Sequence, residues 1–250
     1  MPTPLFIFLL GLCIGSFLNV VIFRTRNGES LIRGASHCPK CKTILRWHEL
    51  IPLVSFAMLR GRCRKCRERI SIQYPLIEFA TGVIFVVFFL WHAGNLTLFM
   101  RDSVSAIFLI AIAVYDIRYL EIPDRFTVPG MIFAFLANVW MGRDPLPLII
   151  AGAIIGGFFF TQYAASKGRW VGTGDILLGV FMGLLLGLPF GLTALFVAYI
   201  SGALFSVYLV LARHKTAKTL MPFGAFLSTS SLVVLVIGKP ILDWYLGLLR

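Results

Sequence analysis

Residues Gly172 to Phe190 read GTGDILLGVFMGLLLGLPF, so a carboxylate, Asp175, stands just behind two close glycines and opens a run with no further charge. In a water-soluble protein this would be an ordinary turn before a helix. The composition of the 250-residue chain argues for another setting: 58% of residues are hydrophobic, only 14% are charged, and the mean hydropathy is +0.88. Those values belong to polytopic membrane proteins rather than to soluble domains. At the edge of a membrane span an ionisable residue costs free energy unless it is paired or used, so Asp175 needs a reason, either a function or a favourable charge at the amino end of a helix.

Working outward, eight apolar stretches approach the roughly 20 helical residues that cross a bilayer core. They run over Leu5–Phe23, Leu76–Ala93, Ser103–Tyr115, Phe126–Met141, Pro145–Ala164, Ile176–Phe190, Gly191–Ala212 and Phe223–Leu246. The third and sixth are short, and their helices are expected to take in neighbouring polar residues. No basic segment precedes the first stretch, which therefore reads as a permanent span rather than a removable signal peptide. The expected fold is all-α: a bundle of about eight transmembrane helices with a small cytoplasmic zinc-ribbon-like domain after the first. The expected boundaries are 1–23 for the first helix, 24–75 for the polar domain and 76–250 for the rest of the bundle.

Basic residues orient the bundle, because cytoplasmic loops collect them. With the amino terminus outside, 19 of the 23 lysines and arginines fall on the inside, among them Arg33, Arg213, Lys215 and Lys218. Arg101, Arg143, Lys239 and Arg250 remain outside. The net charge of +12 is thus a property of the cytoplasmic face, suited to anionic phospholipid. No nucleic-acid-binding motif accompanies it, so a nucleic-acid partner is not expected.

The polar segment carries CPKC at Cys38–Cys41 and CRKC at Cys63–Cys66. Two such knuckles suit a four-thiolate zinc site, and on the cytoplasmic side thiols stay reduced. Four protein ligands leave no open position, so the zinc is read as structural. Cys13, inside the first apolar stretch, is read as a packing residue.

Asp116 ends the third span in DIRYLEIPD, and Asp175 opens the sixth; the proposed topology puts both at the cytoplasmic level. Two carboxylates brought together in a low-dielectric site divide their roles. One, ionised, takes a proton from water, and the other, protonated, supports the oxyanion formed when that water attacks a peptide carbonyl. Gly172 and Gly174 allow backbone to approach closely beside Asp175. Asp124, also in DIRYLEIPD, could equally be the N-cap of the fourth span.

These pieces, in order, carry a resemblance. GLCIGSFLNVVIFR, the double CxxC loop with ELIPLVSFAMLRGRCRKC, ISIQYPLIE, DIRYLEIPD, GTGD and MPFGAF resemble the bacterial type IV prepilin peptidases, leader peptidases that are also N-methyltransferases. The resemblance implies a bacterial inner-membrane aspartyl endopeptidase of GxGD type, acting on the cytoplasmic side on prepilins and pseudopilins. It implies Asp116 and Asp175 as the catalytic pair, with Asp124, Gly172, Gly174, Pro222 and Gly224 in support. MPFGAF departs from the family's frequent PFGP by Ala225, a departure read as minor because Pro222 and Gly224 remain. N-methylation with S-adenosylmethionine is implied by the resemblance alone. Any residues for it are expected in the first half, near Asn19 and the polar loop, with Glu78 as the candidate to face the cofactor's sulfonium or the substrate amine; an ion pair with a loop arginine is the alternative. Two other readings compete: a presenilin-like or signal-peptide-peptidase-like protease, and a proton-coupled transporter using Asp116 and Asp175 as relay groups.

Overall fold

Two glycines spaced four apart on the first helix decide how it packs. Helix α1 (Thr3–Asn27) presents Gly11 and Gly15 to α3 (Gln73–Trp91), and a methyl built on either would lie 2.7 Å from a backbone Cα, of Gly82 and Glu78 respectively. Small residues at this spacing let two membrane helices approach backbone to backbone. Asn19, one turn further on the same face, ties the helices together: its Nδ2 donates to the Gly15 and Tyr74 carbonyls at 3.2 Å each, and it accepts from Gln73 Nε2 at 3.3 Å. With that face of α1 inward, Cys13 points the other way. It is exposed, not packed as expected, because two residues from Gly11 or Gly15 is about 200° around the helix.

The structure, a computed structural model, describes residues 3–31, 34–212 and 221–248. Arg33, Arg213, Lys215, Lys218 and Arg250, counted in the charge distribution, lie outside the described residues. The chain divides into two compact units, Met1–Asn95 and Leu96–Arg250.

Between α1 and α3 the first unit has a 3-10 turn at Trp47–Leu50, the short helix α2 (Val54–Met58) and two knuckles, each closed by one antiparallel bridge, His37 with Ile44 and Arg62 with Arg69. Arg24 does not face solvent with the basic residues of the loop that follows. It is buried, and its guanidinium donates to the carbonyls of Ser30 (3.0 Å) and Gly34 (2.6 Å), fixing the start of the loop.

The second unit holds α4 (Leu96–Tyr119), α5 (Asp124–Trp140), α6 (Pro145–Ser166), α7 (Thr173–Leu186), α8 (Leu188–Leu211) and α9 (Phe223–Leu248). Among the described residues all regular structure is helical, as expected. Among the described residues six helices are long and apolar enough to cross a membrane: α1, α3, α4, α6, α8 and α9. The eight expected spans each correspond to a helix, but α5 has 17 residues and α7 only 14. Helix α7 is the innermost, with Leu178, Phe181, Met182 and Leu185 fully buried. It packs against α6 through Gly183, where a methyl would meet the Ala151 backbone at 2.5 Å.

The third span does extend through polar residues. Helix α4 begins seven residues before Ser103 and buries Arg101 and Asp102, whose Nε and Oδ1 lie 2.6 Å apart. Arg101 also donates to Asn138 Oδ1 at 3.1 Å. Asn138 in turn donates to the Leu184 and Leu185 carbonyls at 2.8 and 3.0 Å, occupying acceptors that the end of α7 would otherwise leave unpaired.

Candidate active site

Asp116 lies in the last turns of α4, buried to 4% exposure. The helix stops three residues later, where Leu120 takes φ 55° and donates its N–H to the Asp116 carbonyl at 2.8 Å. Asp116 Oδ2 accepts a hydrogen bond from the Ala225 amide at 2.9 Å. That amide belongs to the first turn of α9, where backbone donors have no partner within the helix and favour an anion. A proline at 225, the commoner residue in the resembled family, would have no N–H to give. The departure from PFGP therefore supplies a donor to one of the two candidate acids.

Asp175 stands at the third position of α7, half-buried, and its Oδ2 accepts from the Gly172 amide at 2.9 Å. The carboxylate thus occupies an orphan donor at the start of its own helix. Each acid is held by backbone at a helix amino end.

One apolar side chain joins the three motifs. Ile122, between α4 and α5, packs against Gly174 of GTGD and Gly224 of MPFGAF. A methyl on Gly174 would come within 2.7 Å of Ile122 Cβ, and one on Gly224 within 2.5 Å of Ile122 Cδ1 and 3.0 Å of Asp116 Oδ2. Neither Ile122 nor the Ala225 amide was singled out from the sequence. The first is apolar and the second is main chain. Asp124 is the first residue of α5 rather than its cap, which is Pro123, and its side chain is exposed. Pro222 precedes α9, and Gly172 is the exposed cap of α7.

In the first unit Cys38, Cys41, Cys63 and Cys66 converge, with all four sulfurs within 4.8 Å of one another. Cys38 to Cys66 and Cys41 to Cys63 are each 3.9 Å apart, far beyond a disulfide bond and close to the edge of a tetrahedron built on metal–sulfur bonds of about 2.3 Å. The knuckles share one backbone pattern. Lys42 and Arg67, each just after a second cysteine, take φ of 55° and 58° and donate to the Cys38 and Cys63 carbonyls. Hydrogen bonding by the Thr43 side chain and backbone brings the Cys41 thiol down to about 6, and backbone N–H groups of Cys66 and Lys65 lower Cys63. Cys66 goes the other way: burial and the neighbouring thiols push it up to about 11, so Cys41 and Cys63 are the two ligands most ready to meet a metal ion as thiolates.

Glu78 is buried on α3 and accepts from the Leu53 amide at 2.9 Å and from the Ser16 hydroxyl. Leu53 has φ 60° and ψ −46°, and Val54 N–H reaches back to the Pro52 carbonyl at 2.6 Å. This is the rare γ-turn with a positive central φ, a strained conformation that the Glu78 contact helps to hold.

The comparisons with known proteins follow the same division. The model described as Bacterial Peptidase A24 N-terminal domain matches residues 9–92, and the Type IV leader peptidase family model matches residues 103–207. The prepilin leader peptidase/N-methyltransferase of Myxococcus xanthus is 36% identical over 84% of this chain, which spans 64% of that protein's length. The protein of the same name from Bacillus subtilis is 31% identical over 96% of both chains. The type 4 prepilin-like proteins leader peptide-processing enzyme of Escherichia coli is 34% identical over 90% of both. No solved structure matches this chain. With both halves matched in order and relatives aligned end to end, the chain belongs to the type IV leader peptidase family.

Proposed function

We propose that the protein is a membrane aspartyl endopeptidase that removes the leader from prepilins and pseudopilins and then methylates the new amino terminus with S-adenosylmethionine. The observation that carries the proteolytic half is the convergence of Asp116, the GTGD turn and the MPFGAF turn around Ile122. Family membership favours this reading over a transporter or a presenilin-like protease.

In this reading Asp116 and Asp175 bracket the scissile peptide. The ionised acid removes a proton from a water molecule, the water oxygen attacks the carbonyl carbon, and the protonated acid donates a hydrogen bond to the carbonyl oxygen as it gains charge. Collapse of the tetrahedral intermediate breaks the C–N bond, and a carboxyl proton passes to the leaving amine. Gly174 and Gly224 give an extended substrate room beside the acids, and Ile122 sets their spacing. Asp124 supports the site from the start of α5 without taking part in proton transfer.

For the second half, S-adenosylmethionine supplies an electrophilic methyl group and the newly freed amine accepts it. Glu78 remains our candidate on the cofactor side, acting through the Pro52–Val54 turn whose amide it holds. We assign a structural zinc ion to Cys38, Cys41, Cys63 and Cys66; the sulfur spacing supports it. The bias in lysine and arginine supports an inner-membrane topology with the polar loop and both acids on the cytoplasmic side.

The decisive experiment incubates the purified protein with a prepilin and S-adenosylmethionine and measures product masses. Loss of the leader plus gain of one methyl group is expected; an intact prepilin would remove the reading. A cysteine probe at Gly28 should be modified only from the cytoplasmic side, and labelling from outside would invert the topology.

A further inference from the structure

The cysteine domain carries a feature that extends beyond metal binding. A cleft of about 640 Å³ shares Cys41 and Cys63 with the cysteine cluster and opens from there between Lys42 and Arg46, after the first knuckle, and Arg64 and Lys65 of the second. Its one carboxylate, Glu49, is already engaged: it accepts from the Arg46 amide at 2.8 Å, stands 3.5 Å from Arg64 Nε, and has a side chain only 8% exposed. Four cations against Glu49 and the Cys41 and Cys63 thiolates, which also line it, still leave the cleft positive on balance. Exposed apolar side chains accompany it: Ile44, in the lining, is 65% exposed, Trp47, next to Arg46 in the chain, 78%, and Met58 on α2 75%.

Cations around a recess, with a tryptophan and aliphatic side chains beside it, match the chemistry of an anionic phospholipid: phosphate in the cleft, acyl and glycerol region against the apolar side chains. A soluble phosphate would account for the cations but not for the exposed apolar side chains. The domain is also tethered at both ends to helices long and apolar enough to cross a membrane, α1 and α3. We propose that the cysteine domain is a membrane-docking module, with the Lys42–Arg46–Arg64–Lys65 cleft holding an anionic lipid headgroup and Ile44 and Trp47 entering the bilayer interface. This goes beyond the enzymatic reading and does not depend on it.

The test uses the full-length protein with Trp47 as its only tryptophan, the other four replaced by phenylalanine. It is reconstituted in nanodiscs of phosphatidylcholine alone or mixed with phosphatidylglycerol. In the anionic discs Trp47 emission should be shielded from acrylamide and quenched by brominated phosphatidylglycerol. Neutralising Lys42, Arg46, Arg64 and Lys65 to glutamine should return it to water, with each lost cation weakening docking about fivefold. Retained metal content would show that this variant is folded. If the variant loses its metal, raising the salt to molar concentration provides the same arm without mutation, and undocking is expected there. Trp47 equally open to acrylamide in both disc types would overturn the proposal. So would shielding insensitive to lipid charge and salt, or displacement of Trp47 from the discs by millimolar inorganic phosphate.

Discussion

Ile122 wedged between two glycines can be tested by asking which of its atoms each glycine touches. In Gly224→Ala the new methyl would lie 2.5 Å from Ile122 Cδ1 and 2.9 Å from Cγ1, with Asp116 Oδ2 at 3.0 Å. Overpacking of this kind costs about 1–3 kcal/mol, and spent on displacing Asp116 it would lower kcat/KM for prepilin cleavage by about five- to 150-fold. Ile122→Ala deletes both offending carbons. Alone it should cost about 1–2 kcal/mol, less than a fully buried isoleucine, since Ile122 is half-buried. Combined with Gly224→Ala it should restore much of the lost activity, though not all, because the Asp116 contact remains. Gly174→Ala provides the contrast. Its methyl would meet Ile122 Cβ at 2.7 Å and the Ile122 carbonyl oxygen at 3.1 Å, and an alanine at 122 keeps both atoms. The same second mutation should therefore fail to rescue it. The assay is a double-mutant cycle on kcat/KM in defined detergent, with thermal unfolding recorded for each variant. Rescue of both glycine variants, or of neither, would refute the wedge and the spacing role assigned to Ile122.

Three other outcomes are expected. Asp116→Asn and Asp175→Asn should each abolish cleavage while Asp124→Asn keeps a substantial fraction, measured as leader release; retention by Asp175→Asn would remove the aspartyl mechanism. Metal analysis should find one zinc ion per chain, its binding at neutral pH favoured by the lowered Cys41 and Cys63 thiols. Protons compete with zinc for the thiolates, so a chromogenic chelator should show zinc release on acidification, not on alkalinisation. Gly15→Ala should lower the unfolding temperature, because its methyl meets the Glu78 backbone at 2.7 Å. Gly157→Ala on α6, with nothing within 4 Å, should be neutral or slightly stabilising.

The acids and glycines of the candidate site were legible because they are chemically conspicuous against an apolar background. Ile122 was not: an isoleucine in a membrane protein carries no signal, and its partners lie 52 and 102 positions downstream. The Ala225 amide escaped for a related reason, since the sequence shows a side chain lost relative to the family but not the main-chain donor gained. The long apolar helices were readable from hydropathy, though two of the eight expected spans, α5 and α7, are short, whereas the start of α4 was not readable. Arg101 and Asp102 look like the end of a span until their pairing with each other and with Asn138 allows both to be buried. Cys13 was misjudged because apolar surroundings in sequence do not tell a helix face that meets protein from one that meets lipid.

With only 14 residues, α7 bears on where the proposed catalysis would take place. At 1.5 Å per residue the helix is about 21 Å long, against a hydrocarbon thickness of about 30 Å. If its Gly187 end reaches one surface, Thr173 stops about 9 Å short of the other and Asp175, two residues further in, about 12 Å short. Hydrophobic mismatch of that size draws the bilayer inward or admits water to the helix end. The peptide bond would then be hydrolysed below headgroup level, and acyl-chain length would tune the enzyme: thicker membranes would bury the acids more deeply and slow the delivery of water.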